Sequence, residues 1–339
     1  MPSIETIAKE SGASIATVSR VLRQKGEAKT DIQRRILKVA ERLGRPGEQS
    51  GRHRQILFIS FQNVLSTESQ QITLPVIMEG MNSVLHPAGY SLLYSSIDLN
   101  NTPPPALLRR EVDGVIFHGK LDRDFYNRYL ADLPLVGLSH YDPSYECNWV
   151  TLDRGVEGYQ IVSHLVGKGH RRIAFFTPEC DYTEDQLIGY RKAMAHFGLE
   201  IDPSWEILYQ RPTVNGILPL EYELQDYSAL LAPVFRSKNP PTAIFCMDNF
   251  RVKCVEMSLE KLGLKVPRDV SLVGTSNSSQ KDIAFYQGDI ACSFDDSFSM
   301  NAEAAKLLLR VISAEENRIV KIMVRPTFKG GVTVAPPRK

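Results

Sequence analysis

Ser11-Gly12-Ala13-Ser14-Ile15-Ala16-Thr17-Val18-Ser19-Arg20-Val21-Leu22 is the stretch on which the reading of this chain turns. Gly12 ends one short helix and Ser14 caps the next, leaving about three residues between them, the turn length of a helix-turn-helix. Upstream, Ser3 can cap a helix whose apolar positions are Ile4, Ile7 and Ala8. Val18, Val21 and Leu22 give the second helix its buried side. Thr30, with Gln33 three residues later, forms a capping box for a third helix. Its stripe of Ile32, Ile36, Val39, Ala40 and Leu43 closes a small core. The remaining face of the second helix carries the information. Ile15 and Ala16 lead it, and apolar residues should not lead an exposed helix unless something covers them. In a major groove they meet thymine methyls, while Ser14 and the helix N-terminus approach a phosphate. Thr17, Ser19 and Arg20 supply donors along that face, and Arg23, Lys25 and Lys29 follow as phosphate contacts. Taken singly, Ile15 fits a core equally well.

Charge supports a polyanion partner at this end only. The net charge of +1 hides 12 Lys and Arg against 6 Asp and Glu in residues 1–54, and 28 against 33 in the rest. The five cysteines, Cys147, Cys180, Cys246, Cys254 and Cys292, have no metal or redox spacing and read as reduced core residues. No secretory leader and no apolar run of spanning length is visible, so a cytoplasmic protein without membrane contact is expected.

From Ile56 the pattern becomes short apolar strands alternating with amphipathic helices. Strands are predicted at 56–60, 91–94, 115–117, 135–138, 172–176, 206–209, 243–246 and 270–273. Helices are predicted at 75–86, near 106–110, and at 185–197, 224–235 and 249–262. The fold class is therefore α plus α/β: a helix-turn-helix headpiece (1–45), a short basic connector (46–55) and two Rossmann-like lobes (56–339). The lobes are expected at roughly 56–151 with 278–321 and 152–277 with 322–339. Ligands sit beyond the C-terminal strand ends of such sheets. Those ends are polar here and supply Phe61, Gln62, His118, Ser139, His140, Asp248, Asn249, Ser276 and Asn277 as candidates for a small polar effector.

The quoted headpiece run resembles the motif of the LacI/GalR family of bacterial transcription regulators. That resemblance implies base reading by Ile15, Ala16 and Arg20, and groove-edge or backbone contacts by Thr17 and Ser19. It extends through Val112-Asp113-Gly114-Val115-Ile116, Asp153, Gly169-His170-Arg171-Arg172-Ile173-Ala174, Gly189-Tyr190-Arg191-Lys192-Ala193-Met194 and Arg325-Pro326-Thr327. It implies lobes like those of periplasmic sugar-binding proteins, three crossings between them, and Asp153 in the effector site. Two departures matter. The connector is short and has no apolar residue to wedge into a minor groove, so Arg45, Arg52 and Arg54 are expected along backbone phosphates. Gln186 stands where the family commonly has a sugar-holding Arg, Asp248-Asn249 inverts its Asn-Asp pair, and Ser276 replaces an Asp. Lost charged partners argue against a plain monosaccharide bound in the usual way.

The expected function is effector-responsive, sequence-specific regulation of transcription; the resemblance implies a repressor of carbohydrate or related metabolic genes, with an activator of the same fold as the alternative. The expected partners are a homodimer mate and a near-palindromic double-stranded operator; no cofactor or metal is expected. An enzyme lacks support: there is no phosphate loop, zinc helix or nucleophile elbow. A transport-type binding protein would share the lobes but not the headpiece.

Overall fold

The computed structural model describes residues 4–23, 30–43, 53–61, 67–97, 101–138, 141–179, 183–210, 225–277 and 289–338, apart from a few side chains. The headpiece is three helices: α1 (Ile4–Ser11), α2 (Ile15–Arg23) and α3 (Asp31–Arg42). Ile7, Ala8, Val18, Val21, Leu22, Ile36 and Ala40 meet in one core. Gly12 leaves α1 at φ +65°, a conformation that a side chain would disfavour. Just there Arg35 donates its Nε–H to the Ser11 carbonyl at 2.8 Å, tying α3 to the end of α1. The capping box forms as the spacing predicts. Thr30 N–H donates to Gln33 Oε1 at 3.0 Å, and Gln33 N–H to Thr30 Oγ1 at 3.4 Å. Ile32 is a correction: it is 40% exposed, because the first turn of α3 overhangs a concavity beside α2 rather than the core.

The body runs β1 (Gln55–Phe61), α4 (Thr67–Leu85), β2 (Ser91–Ile97), α5 (Pro105–Leu108) and β3 (Gly114–His118). Then come α6 (Arg123–Phe125), continuing as a π-helical turn (Tyr126–Leu130), β4 (Leu135–Leu138), β5 (Asn148–Leu152) and α7 (Arg154–Gly167). The second lobe follows with β6 (Ile173–Pro178), α8 (Thr183–His196), β7 (Glu206–Tyr209), α9 (Ser228–Phe235), β8 (Ala243–Cys246), α10 (Asn249–Lys261), β9 (Ser271–Asn277) and β10 (Cys292–Asp295). The chain closes with α11 (Ser297–Ile312), β11 (Lys321–Val324) and β12 (Thr327–Lys329).

One sheet has the order β11-β5-β4-β3-β1-β2 and the other β12-β10-β9-β8-β6-β7. Every pairing is parallel except β10 with β12. Both lobes therefore repeat one doubly wound order, with switch points between β1 and β3 and between β6 and β8. Alternate residues feed opposite faces: Ile56 and Phe58 one core layer, Leu57, Ile59 and Phe61 the other.

The chain crosses between sheets after β5, β10 and β11. Two expected boundaries move accordingly. β10, assigned from sequence to the first lobe, hydrogen-bonds beside β9 in the second, and β11 stays with the first sheet through Val324. Two helices also differ from expectation. α4 begins at Thr67 and carries Pro75 inside it, where the missing N–H forfeits one bond. α9 begins only at Ser228, whose N–H is taken by the Asp226 carboxylate. Cys147, Cys246, Cys254 and Cys292 are buried free thiols; Cys180 lies outside the described residues. Among the described residues no helix is long and apolar enough to cross a membrane.

Candidate nucleic-acid interface and effector cleft

Val18, Val21 and Leu22 turn inward on α2, which forces the opposite face outward. Ser14 Oγ accepts the Thr17 N–H at 3.1 Å and shares a 2.8 Å hydrogen bond with the Thr17 hydroxyl. This cap fixes the helix entry and leaves the next residues on the surface. Ile15 is 53% exposed, with Ala16 and Arg20 exposed and Thr17 and Ser19 half-buried. Ala16, Thr17, Ser19 and Arg20 line one wall of an open concavity of about 1020 Å³, and Thr30, Ile32 and Gln33 line the other. The second wall escaped the sequence reading. Its only signal was Ile32 at the exposed start of an otherwise correctly placed stripe.

Ile32→Ser should leave headpiece stability within about 0.5 kcal/mol, as for other surface changes. If the concavity receives DNA, operator affinity should fall by roughly 1–2 kcal/mol from lost apolar contact. Circular dichroism melting and fluorescence anisotropy on the same sample read the two separately. A destabilised headpiece would return Ile32 to the core.

The Arg23 side chain and Lys25, Lys29, Arg45 and Arg52 lie outside the described residues. Arg54 is described. Both oxygens of Asp113 accept backbone N–H groups, from His53 at 2.9 Å and Arg54 at 2.7 Å, and the Arg54 guanidinium lies 5.2 Å over the Tyr90 ring. A cation on this aromatic face helps to anchor the start of β1 on the first lobe.

The candidate effector residues separate into groups. Gln62, Ser139 and His140 lie outside the described residues, as does the Asn277 side chain. Phe61 is a correction. It is 3% exposed, edge-on to Phe117 and Phe125, because its strand parity matches Leu57 and Ile59. His118 ends β3; burial pushes its imidazole down to about 4, so the ring is neutral, and its Nδ1 has no partner among the described residues. Asp153 and Asp248 serve as helix caps, accepting from Val156 N–H at 3.0 Å and Arg251 N–H at 2.7 Å. Ser276 is buried at the end of β9. Asn249 lies beside the Cys292 thiol, and its buried Oδ1 has no hydrogen-bond partner among the described residues. A Cβ at Gly274 would stand 2.6 Å from that oxygen, so glycine admits the amide. Gln186 is only 1% exposed and donates to Glu157 Oε2 at 3.0 Å, between α7 and α8.

Two clusters were missed by sequence reasoning. At the end of β7 and the start of α10, the buried Arg251 guanidinium pairs with Asp248 and lies beside Tyr209. The Tyr209 hydroxyl meets Tyr227 at 2.9 Å, and Tyr227 donates to Gln225 at 2.6 Å. At the first and second crossings, Arg154 grips both oxygens of Glu157 at 3.0 Å beside Asp295. The available signal was a charged pair three apart in the first turn of an apolar helix, Arg154 with Glu157 and Asp248 with Arg251.

A capped, outward-facing helix on a basic three-helix headpiece, joined to two doubly wound lobes, defines a DNA-binding regulator with a ligand-binding type of body. Comparison with known proteins gives the particular family. Residues 3–44 match the family model for bacterial regulatory proteins of the lacI family, and residues 162–330 that for a periplasmic binding protein-like domain. The chain belongs to the lacI family and is a DNA-binding transcription regulator. It is 26% identical over 324 residues to the transcriptional regulator RegA of Clostridium saccharobutylicum, covering 93% of each chain. It is 23% identical over 286 residues to the repressor PurR of Photobacterium profundum, covering 82% of each. The fold matches the CelR regulator in complex with cellobiose with TM-score 0.63 at 19% identity, over 98% of this chain and 100% of that one.

Proposed function

We propose that this chain is an effector-responsive repressor that acts in the cytoplasm as a homodimer on a near-palindromic operator. The observation that carries the reading is the exposure of Ile15 at the head of a capped helix whose opposite face fills the core. Apolar exposure there has a purpose only against a complementary surface, and the major groove supplies thymine methyls. Two headpieces on a symmetric dimer read two half-sites. The relatives named above include a repressor and a regulator holding a disaccharide, which supports a small polar effector acting through lobe closure. Its differential affinity for the two lobe arrangements sets the response.

Arg20→Ala should weaken binding to the selected operator by roughly 1–3 kcal/mol while changing scrambled DNA little. Operator selection from a random library followed by anisotropy titration measures both. Equal losses on the two duplexes would remove Arg20 from base reading. Sedimentation at micromolar protein should show a dimer, and a monomer alone would end the paired half-site reading.

A further inference from the structure

Three elements meet at the C-terminal edge of the second sheet, where the chain first and second crosses between lobes. From α7 come Arg154 and Glu157, from the first turns of α8 comes Gln186, and from the end of β10 comes Asp295. Their side chains share one face. Ala291 packs with Val273, Phe245 and the apolar sides of α7 and α8, and strand alternation places Ser293 and Asp295 on that same side. Arg154 spends an N–H group on both Glu157 oxygens, and the Gln186 amide donates to Glu157 Oε2.

The remaining chemistry is a surplus of acceptors. Among the described residues Gln186 Oε1 has no hydrogen-bond partner, and it sits buried on a residue only 1% exposed. Ser293 Oγ, two residues before Asp295, is likewise buried and unpartnered. Two carboxyl groups, Glu157 and Asp295, face one guanidinium. An unmet buried acceptor costs free energy until a donor arrives, and a surplus carboxylate costs more. Among the described residues no group of three or more His, Cys, Asp or Glu could hold a metal ion, so an inorganic cation is a poor occupant.

We propose that this corner is the effector subsite for a positively charged, hydrogen-bond-donating group, so that the effector is an amine-bearing small molecule rather than a neutral sugar. The ammonium donates to Gln186 Oε1 and the Asp295 carboxylate, while Arg154 remains on Glu157. Asp295 belongs to one crossing and Arg154 to another, so filling the corner acts on the segments that any lobe closure must bend. The Asp295 carboxyl in this setting is reluctant to ionise. Burial, with Glu157 and Asp296 adding and Arg154 opposing, pushes Asp295 up to about 7. Asp296 and Asp153 are committed to the caps of α11 and α7, accepting from Ser299 N–H and Val156 N–H.

This inference rests on the effector reading above, and the test keeps the two apart. The full-length dimer is melted with millimolar glucosamine against glucose and putrescine against butanediol, and operator binding is titrated in parallel. The expected result is a thermal shift with at least one amine and none with its neutral counterpart. Asp295→Asn should weaken the amine at least about tenfold, since a charge-assisted bond becomes a neutral one. In the wild type, ionising Asp295 favours the ammonium, so affinity for putrescine, whose alkyl amines stay protonated across the range, should rise from about pH 6 to about pH 8, as Asp295 titrates near 7. A shift by a neutral compound alone overturns the charge class and leaves the effector reading standing. No shift by either amine, or amine binding indifferent to both pH and Asp295→Asn, also overturns it. Loss of operator binding by the wild type would instead strike the regulator reading.

Discussion

Arg251→Ala is expected to destabilise the second lobe by about 3–5 kcal/mol, the usual consequence of stripping one partner from a buried ion pair. The Arg251 side chain is 7% exposed and that of Asp248 14%, so little solvent is at hand to replace the lost charge. Asp248 would keep its helix-cap bond to residue 251 but lose the guanidinium that neutralises it. Tyr209 would lose its charged neighbour, keeping the hydroxyl chain through Tyr227 to Gln225. For a lobe of this size each kcal/mol corresponds to roughly 2–4 °C of melting temperature, so calorimetry resolves the change easily. The control is the double variant Arg251→Met with Asp248→Asn. It removes the stranded charge while keeping the cap oxygen, and should recover most of the loss. If the double variant melts as low as the single one, packing rather than charge explains Arg251.

This network shows why the site was less legible in the sequence than the fold was. Strand alternation and helix periodicity are local, and they located β1 and β6 and placed the core face of α2 correctly. The Thr30–Gln33 cap is local too, and it formed. Local rules misplace residues where an element ends. Phe61 follows the parity of Leu57 and Ile59 into the core although it is the last residue of β1. Ile32 follows the phase of Ile36 and Ala40, yet nothing covers the first turn of α3. Polar residues that serve architecture hide an element altogether. β5 contains Asn148 and Thr151, and Asn148 is buried because its Oδ1 accepts the Val320 N–H at 2.9 Å, seating the approach to β11. His170, part of the family motif, is likewise structural. Its ring bridges Thr242 Oγ1 and the Ala335 carbonyl, each at 2.9 Å, and holds the C-terminal segment against the second sheet. Glu157, Gln186 and Asp295 come from three separate elements. Their meeting depends on α7 and α8 touching through glycine: a Cβ on Gly158 would lie 2.5 Å from the Gly189 carbonyl carbon. No periodicity in one segment reports that approach.

Ile36→Ala should weaken specific operator recognition at least about tenfold without touching DNA at all. Ile36 is fully buried, and truncating such a residue costs about 2–5 kcal/mol. The headpiece has seven buried apolar residues in its core, and domains this small seldom have more than about 3–5 kcal/mol to lose. The helix pair that presents Ile15 and Arg20 exists only while that core holds, so the free headpieces would be largely unfolded. Binding then has to refold them, and in a dimer the cost is incurred twice. Operator affinity should fall at least about tenfold, since each 1.4 kcal/mol is a factor of ten. The lobes have cores of their own, which share no residue with the headpiece, so their melting transition should not move. Loss of headpiece helicity alongside an unchanged body transition and a weakened operator complex is the expected pattern. Full operator affinity with a melted headpiece would show that α2 is not the reading element, and a fall in the body transition would show that the headpiece and lobes do not fold independently.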